Sequence, residues 1–257
     1  MTNPNPFLTI VGAGPGDPDL ITLKGLKALQ SADVILYDAL ASPLLLEYAK
    51  PSCKKVYVGK RKGKKEFPQE EINQLNVFYA KRFQSVVRLK GGDPNVFGRA
   101  HEEMEYAMAR GVEVKIIPGI SSSIAAPNAA GIPLTKRGVN ESFWVVTGTL
   151  SSGELSNDIH LAAQSSATVI ILMGMSHLKN IAQIFSQACS PQEPIAIIQH
   201  ATLPEQKVIV STMRDICEAA SENQIASPAV IVIGNVVNER LEMDKAVKTK
   251  LKEALMG

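Results

Sequence analysis

The sequence predicts an α/β protein of two domains, the first built on a mostly parallel sheet and the second on a mixed one. Three observations carry that reading. Short runs rich in β-branched residues alternate with amphipathic helical stretches, which is the pattern of crossover units feeding a parallel sheet. In the second half, the gap between the strand-like runs 194–199 and 207–211 is too short for a helical crossover, so antiparallel partners enter there. The region from Gly119 to Gly138 concentrates small residues and prolines, which sets domains of 1–118 and 119–257. With 257 residues, each half is long enough to bury its own core.

Phe7 to Val11 reads as the first strand, and it runs straight into Val11-Gly12-Ala13-Gly14-Pro15-Gly16-Asp17-Pro18. Glycines let backbone approach a ligand closely, while Pro15 and Pro18 lock the turn and delay the next helix. A dinucleotide-binding loop needs its third glycine five residues after its first, opening a helix whose amides hold a pyrophosphate. Asp17 stands at that position and would repel phosphate, so the loop suits a nucleoside-like cofactor without phosphate. A glycine-rich connection with no ligand is the alternative. Thr22 then caps a helix with Leu23, Leu26, Ala28 and Leu29 on its inner face. Val34 to Tyr37 is the second strand, with Asp38 at its end, and Lys55 to Val58 is the third. Pro68 opens a helix from Gln69 to Arg82, Val86 to Leu89 is the fourth strand, and Val112 to Ile117 is the fifth. Strands follow at 143–147, 168–173, 194–199, 207–211 and 229–233. The terminal segment 238–257 sets Leu241, Val247, Leu251 and Leu255 among alternating charges and reads as a surface helix.

Composition excludes several classes. At 45% hydrophobic and 20% charged residues the chain is globular rather than disordered or fibrous. A net charge of +2 gives no general pull on nucleic acid, and no aromatic residues interleave with the cations to stack bases. Cys53, Cys189 and Cys217 lie far apart, which argues against a disulfide scaffold or thiolate metal site and makes buried reduced thiols the default. No basic leader or long apolar stretch appears, so the expected location is the cytosol, away from membranes. The four histidines show no metal spacing, no metal is expected, and neither a nucleophile elbow nor a Walker lysine is present.

Further segments fall at strand ends, where open α/β sheets gather ligand sites. Lys90-Gly91-Gly92-Asp93-Pro94 allows close backbone approach, and Asp93 can accept hydrogen bonds from ribose hydroxyls or an amine; an Asp-Pro turn is the plainer explanation. Ser121, Ser122 and Ser123 enter a small-residue helix from Ile124 to Ala130, where capping alone would explain them. Met173 ends an apolar strand and offers a soft wall to adenine or a sulfonium methyl, although core methionines are commoner. Lys60, Arg61, Lys62, Lys64 and Lys65 form a basic loop after the third strand. With Arg88, Lys90, Arg99, Lys136 and Arg137 they would make a rim for carboxylates or phosphates, against the plainer reading of a solvated loop. Arg99 and Glu102 share a helix face and can pair. Asp38 and Lys60 are the best titratable candidates, with an ordinary ion pair as the alternative.

The motifs V-G-A-G-P-G-D-P-D-L-I-T-L-K-G, A-D-V-I-L-Y-D, V-G-K-R, P-Q-E-E-I-N, V-V-R-L-K-G-G-D-P-x-x-F-G-R, P-G-I-S-S-S, A-G-I-P-L-T and V-T-G-T occur in this order, followed by M-G and S-P-x-V-I-V-I-G segments. As an ordered set, spanning about residues 7 to 237, they resemble the tetrapyrrole methylases. The resemblance implies two α/β domains of that type with the active site in the cleft between them. It also implies S-adenosylmethionine-dependent C-methylation of uroporphyrinogen III at C2 and then C7, giving precorrin-2 and S-adenosylhomocysteine on the way to sirohaem or cobalamin. A methylase of a later precorrin on the same fold is the second possibility. Cofactor contacts are implied at Pro15, Gly91, Gly92, Asp93, Val96, Ser121, Ser122, Met173 and Ala201. Asp38 and Lys60 correspond to proton acceptor and donor, and Arg99 and Glu102 to substrate handling. A homodimer is also implied. Ala41, Asn95 and Lys136 depart from the family's usual residues.

Overall fold

The computed structural model describes residues 5–59 and 68–240, and the chain divides into two units, Met1–Ser122 and Ser123–Gly257. The first unit contains β1 (Phe7–Gly12), α1 (Leu23–Ser31), β2 (Val34–Tyr37), β3 (Lys54–Tyr57), α2 (Gln69–Ala80), β4 (Val86–Lys90), α3 (Ala100–Met108) and β5 (Glu113–Ile117). All five strands are parallel, in the order β3-β2-β4-β1-β5. The period of two along each strand sorts the core into two faces. Val11, Ile35, Val87 and Leu89 pack with Leu29 of α1 on one side. Leu8, Ile10, Val34, Leu36 and Val86 pack with Ile72 and Val77 of α2 and Ala100 and Ala107 of α3 on the other. Burying each large aliphatic side chain contributes about 1.5–3 kcal/mol.

The strand order fixes where a site can form. From β1 the chain moves toward β2, whereas from β4 it moves across β1 to β5, so connections leave these two neighbours in opposite directions. Their carboxyl ends therefore frame a topological switch point, where loops diverge and leave a crevice.

Local chemistry sets the element ends. Thr22 Oγ1 accepts a hydrogen bond from the Gly25 N–H at 3.1 Å and caps α1. The expected inner face is corrected at one position: Leu23 is 76% exposed, while Gly25 and Leu29 are buried. At 3.6 residues per turn Leu23 lies about 120° around the helix from Leu29 and cannot share its contact. Pro68 precedes α2, which ends at Ala80 rather than Arg82, and the third strand starts one residue earlier than expected.

The second unit contains α4 (Ser122–Ala129), which begins at the division, then β6 (Phe143–Thr147), α5 (Asp158–Ala162), β7 (Thr168–Leu172), α6 (Leu178–Ala188), β8 (Pro194–Gln199), β9 (Lys207–Thr212), α7 (Ile216–Glu222) and β10 (Ala229–Ile233). Its sheet runs β6-β7-β10-β8-β9; β6 and β7 are parallel, and the other pairings are antiparallel. The mixed character follows from the short β8–β9 connection, as the residue count required. Leu178, Ile181, Ala182 and Phe185 line one stripe of α6 at helical spacing and bury against Ile171, Ile197 and Ile231. Cys189 and Cys217 are exposed, against the expectation of buried thiols, because each lies at or near a helix end on the outer layer; Cys53 is buried. Residues 241–257, most of the expected terminal helix, lie outside the described residues.

Candidate active site

At the switch point, the loops after β1 and β4 are joined by backbone hydrogen bonds. Ala13 N–H donates to Lys90 O at 2.7 Å, Gly92 N–H to Gly14 O at 2.7 Å, and Gly14 N–H to Gly92 O at 3.2 Å. Gly14 (φ +78°) and Gly92 (φ +67°) adopt left-handed backbone that side chains disfavour. The loop after β5 presses on both: a Cβ built on Gly119 would stand 2.4 Å from Gly92 O and 2.8 Å from Gly12 Cα. Asp93 closes the arrangement, its Oδ2 accepting the Gly119 N–H at 3.1 Å and its Oδ1 the Asn95 N–H at 2.9 Å. Three loops thus act as one platform.

The platform leaves room where a ligand is expected. A Cβ on Gly92 would meet only Ser121 Cα and Ser122 N, both at 3.9 Å, so open space there is walled by the two serines. Ser121 is buried, and Pro15, Val96 and Ser122 are half-buried around the same loops. Asp17 directs Oδ1 to the Asp19 N–H at 2.9 Å and caps the 3-10 turn Pro18–Leu20. A platform carrying the carboxylates of Asp17 and Asp93 disfavours a phosphate and fits a nucleoside bearing an amino group.

Asp38, at the end of β2, is held at both carboxylate oxygens. Oδ1 accepts the Leu40 N–H at 3.1 Å, and Oδ2 accepts from Arg88 Nη2 at 3.3 Å. Here the structure corrects the predicted rim: Arg88 and Lys90 are 3% and 5% exposed and belong to an interior charge network. They alternate along β4 on the face covered by α2 and α3, so the period of two turns both inward. Glu103 of α3, fully buried, receives Arg88 Nε at 3.2 Å and Lys90 Nζ, together with the amides of Gln69 at 3.2 Å and Asn76 at 3.1 Å. Burial pushes the Glu103 carboxyl up, but Arg88 and Lys90 override it and leave it below the usual range. Burial, joined by the like charge of Arg88, holds Lys90 below the usual lysine range. Sequence reading missed Glu103, Gln69 and Asn76. Their signal was present, because two cations at alternate positions of an otherwise apolar strand demand buried partners.

Arg99 precedes α3 in a left-handed conformation (φ +57°) and forms a two-pronged pair with Glu102, Nε to Oε2 at 3.0 Å and Nη2 to Oε1 at 2.8 Å. Both are exposed, at 57% and 47%, and the pair leaves further guanidinium donors facing solvent. Lys60 and the basic loop 60–65 lie outside the described residues. Of the departures from family pattern, Ala41 is buried, Asn95 is exposed, and Lys136 Nζ binds Glu239 Oε2 at 2.6 Å.

In the second unit, Met173 follows β7 with φ +56° and is 50% exposed, while its carbonyl accepts the Thr149 hydroxyl at 2.6 Å. It is therefore not a core methionine. Ala201 is buried between His200 (φ +50°) and Thr202 (φ +69°), and Thr202 N–H donates to Gln206 Oε1 at 2.8 Å. Among the described residues, six non-glycine residues have positive φ. Five of them, Phe97, Arg99, Met173, His200 and Thr202, are or directly adjoin candidate site residues named from the sequence, and Gln224 is the exception. Such backbone costs about 1–3 kcal/mol per residue and concentrates at functional sites. A cavity of about 460 Å³ lined by Glu193, Ser211 and Asn235 shares no residue with these loops.

The family model for tetrapyrrole (corrin/porphyrin) methylases matches residues 8–217. The chain is 48% identical over 231 residues to a uroporphyrinogen-III C-methyltransferase of Methanocaldococcus jannaschii, covering 89% of this chain and 96% of that protein. It is 44% identical over 241 residues to a uroporphyrinogen-III C-methyltransferase of Bacillus subtilis, covering 93% of this chain but only 50% of that protein. Among solved structures, it resembles the uroporphyrin-III C-methyltransferase of Thermus thermophilus in complex with S-adenosylhomocysteine. There the TM-score is 0.78 and the identity 37%, over 90% of this chain and 99% of that one.

Proposed function

Because the chain belongs to the tetrapyrrole (corrin/porphyrin) methylase family, we propose that it methylates uroporphyrinogen III at C2 and then C7, using S-adenosylmethionine and yielding precorrin-2 and S-adenosylhomocysteine. The observation that carries this reading is the fused glycine platform at the switch point of the first sheet, built from the segments expected to hold the cofactor. The similarity to the archaeal enzyme along nearly its whole length favours uroporphyrinogen III over a later precorrin.

S-adenosylmethionine supplies an electrophilic methyl group, which an electron-rich pyrrole carbon takes as the C–S electron pair returns to sulfur. The residues of this chain then have three tasks. Pro15, Gly91, Gly92, Val96, Ser121 and Ser122 bind through backbone and small side chains, with Asp93 bracing their loops; Met173 and Ala201 are further proposed contacts. Arg99, oriented by Glu102, meets a substrate carboxylate through its outward donors. Asp38 accepts the proton that the macrocycle loses, and Lys60 serves as donor. Little else is required, since orienting a reactive pair removes much of the barrier.

The same reading carries a cytoplasmic homodimer, with sirohaem or cobalamin synthesis downstream. No helix among the described residues is long and apolar enough to cross a membrane. The deciding experiment is anaerobic incubation of the purified protein with uroporphyrinogen III and S-adenosylmethionine, followed by mass spectrometry of the oxidised products. A gain of two methyl groups is expected. No gain, with S-adenosylhomocysteine still binding, would move the substrate to a later precorrin.

A further inference from the structure

We propose that Glu103 is a positioning residue for methyl transfer, fixing Arg88 from the interior of α3 and, through Arg88, the direction in which the Asp38 carboxylate faces. This inference rests on the proposed function, with Asp38 as its proton acceptor.

Every nitrogen of the Arg88 guanidinium is committed. Nε donates to Glu103 Oε2 at 3.2 Å, Nη1 to the Leu89 carbonyl at 2.8 Å and Nη2 to Asp38 Oδ2 at 3.3 Å. A planar fork fixed at two donors has no freedom at the third, so the placement of Glu103 is passed to Asp38. Glu103 is itself immobilised: Lys90 and Gln69 donate to Oε1, and Arg88 and Asn76 to Oε2. Asn76 gives its amide N–H to this carboxylate while its own buried Oδ1 makes no hydrogen bond. The network runs from the fully buried Glu103 through Arg88, 3% exposed, to Asp38, whose side chain is 24% exposed and is the carboxylate of the network that reaches solvent. Stability alone does not account for such an arrangement, because apolar residues of similar volume commonly serve a buried site as well as ions do. A rigid interior brace ending on one accessible carboxylate does account for it. Substitution at Lys90 or Gln69 would act by the same route, through the loosening of Glu103.

The test is a double-mutant cycle in methylation kinetics with Glu103→Gln, Asp38→Asn and the double variant, alongside calorimetry with S-adenosylhomocysteine. Glu103→Gln is expected to lower kcat about tenfold or more, with KM for uroporphyrinogen III and affinity for S-adenosylhomocysteine within about twofold of wild type. In the Asp38→Asn background the same change should alter the residual kcat by less than about twofold, because the two residues act as one unit. A full additive loss in the double variant, or a matching loss of S-adenosylhomocysteine affinity, would overturn the proposal in favour of a merely structural role. Should Glu103→Gln not fold, Gln69→Met keeps the volume and removes one donor from Oε1; it is expected to lower kcat about threefold at unchanged KM. Unchanged kcat there would also overturn the proposal. Wild-type protein inert toward uroporphyrinogen III would instead sink the functional reading, and this inference with it.

Discussion

In the proposed reaction, single side chains of the first unit divide the work between holding loops and meeting substrate, and their substitutions should separate accordingly. Asp93 accepts two backbone N–H groups, from Gly119 and Asn95, and so ties the loop after β4 to the loop after β5. Asp93→Ala removes two charge-assisted hydrogen bonds and leaves both amides unpaired, a loss of about 1.5–3 kcal/mol each at most. Affinity for S-adenosylhomocysteine should fall at least about tenfold by calorimetry, and unchanged affinity would remove Asp93 from the site. Arg99 behaves oppositely. Its pair with Glu102 is exposed, and exposed pairs contribute about 0–1 kcal/mol, so Arg99→Ala should leave the melting temperature and cofactor affinity nearly unchanged. Methylation should nevertheless drop by about tenfold or more, as expected for a lost carboxylate contact, and normal turnover would end its assigned role.

At the scale of elements, three strand ends converge because their loops carry no side chains where they touch. Gly12 and Gly119 meet backbone to backbone, so any added methyl group collides with main-chain atoms that cannot rotate away. Gly119→Ala should cost about 1–3 kcal/mol by urea unfolding and abolish measurable S-adenosylhomocysteine binding; tolerated binding would show that the loops need not be fused. The strand β4 makes the complementary point. All five of its residues are buried, yet two of them are cations, and the carboxylates that match them come from elsewhere in the sequence: Glu103 of α3 for both, and Asp38 after β2 for Arg88.

Across the whole first unit, carboxylates with depressed pKa link stability to pH. Lys50 donates to Asp33 at 2.5 Å and the Ser85 N–H at 3.0 Å; the lysine above all, with the amide adding to it, outweighs the burial that pushes the other way and holds the Asp33 carboxyl below its ordinary range. A carboxyl lowered in the folded state contributes stability that is present above the unfolded value, about 3.9, and is lost as pH falls through the lower folded value. The stability difference between wild type and Asp33→Asn should therefore be constant from neutral pH down to about pH 5 and shrink below about pH 4. Urea midpoints across that range measure it, and a difference that grew on acidification would contradict the sign. Glu103 acts in the same direction, whereas burial raises the Glu193 carboxyl and gives it the opposite one.

The sequence by itself determined the α/β class, the strands and their mixed pairing in the second half, and the glycine loops. Those features are written locally: periodicity, the length of a connection and the residues that turns require are visible in a single stretch of chain. The Arg99–Glu102 pair was legible for the same reason, since three residues along a helix are neighbours in space. What only the tertiary structure decided is which charges are solvated. Arg88 and Lys90 read as a basic rim because each sits near a strand end, and they are interior because β4 lies between β2 and β1 under two helices. Asp38, Arg88 and Glu103 come from β2, β4 and α3, so their union depends on strand order, which no local pattern encodes.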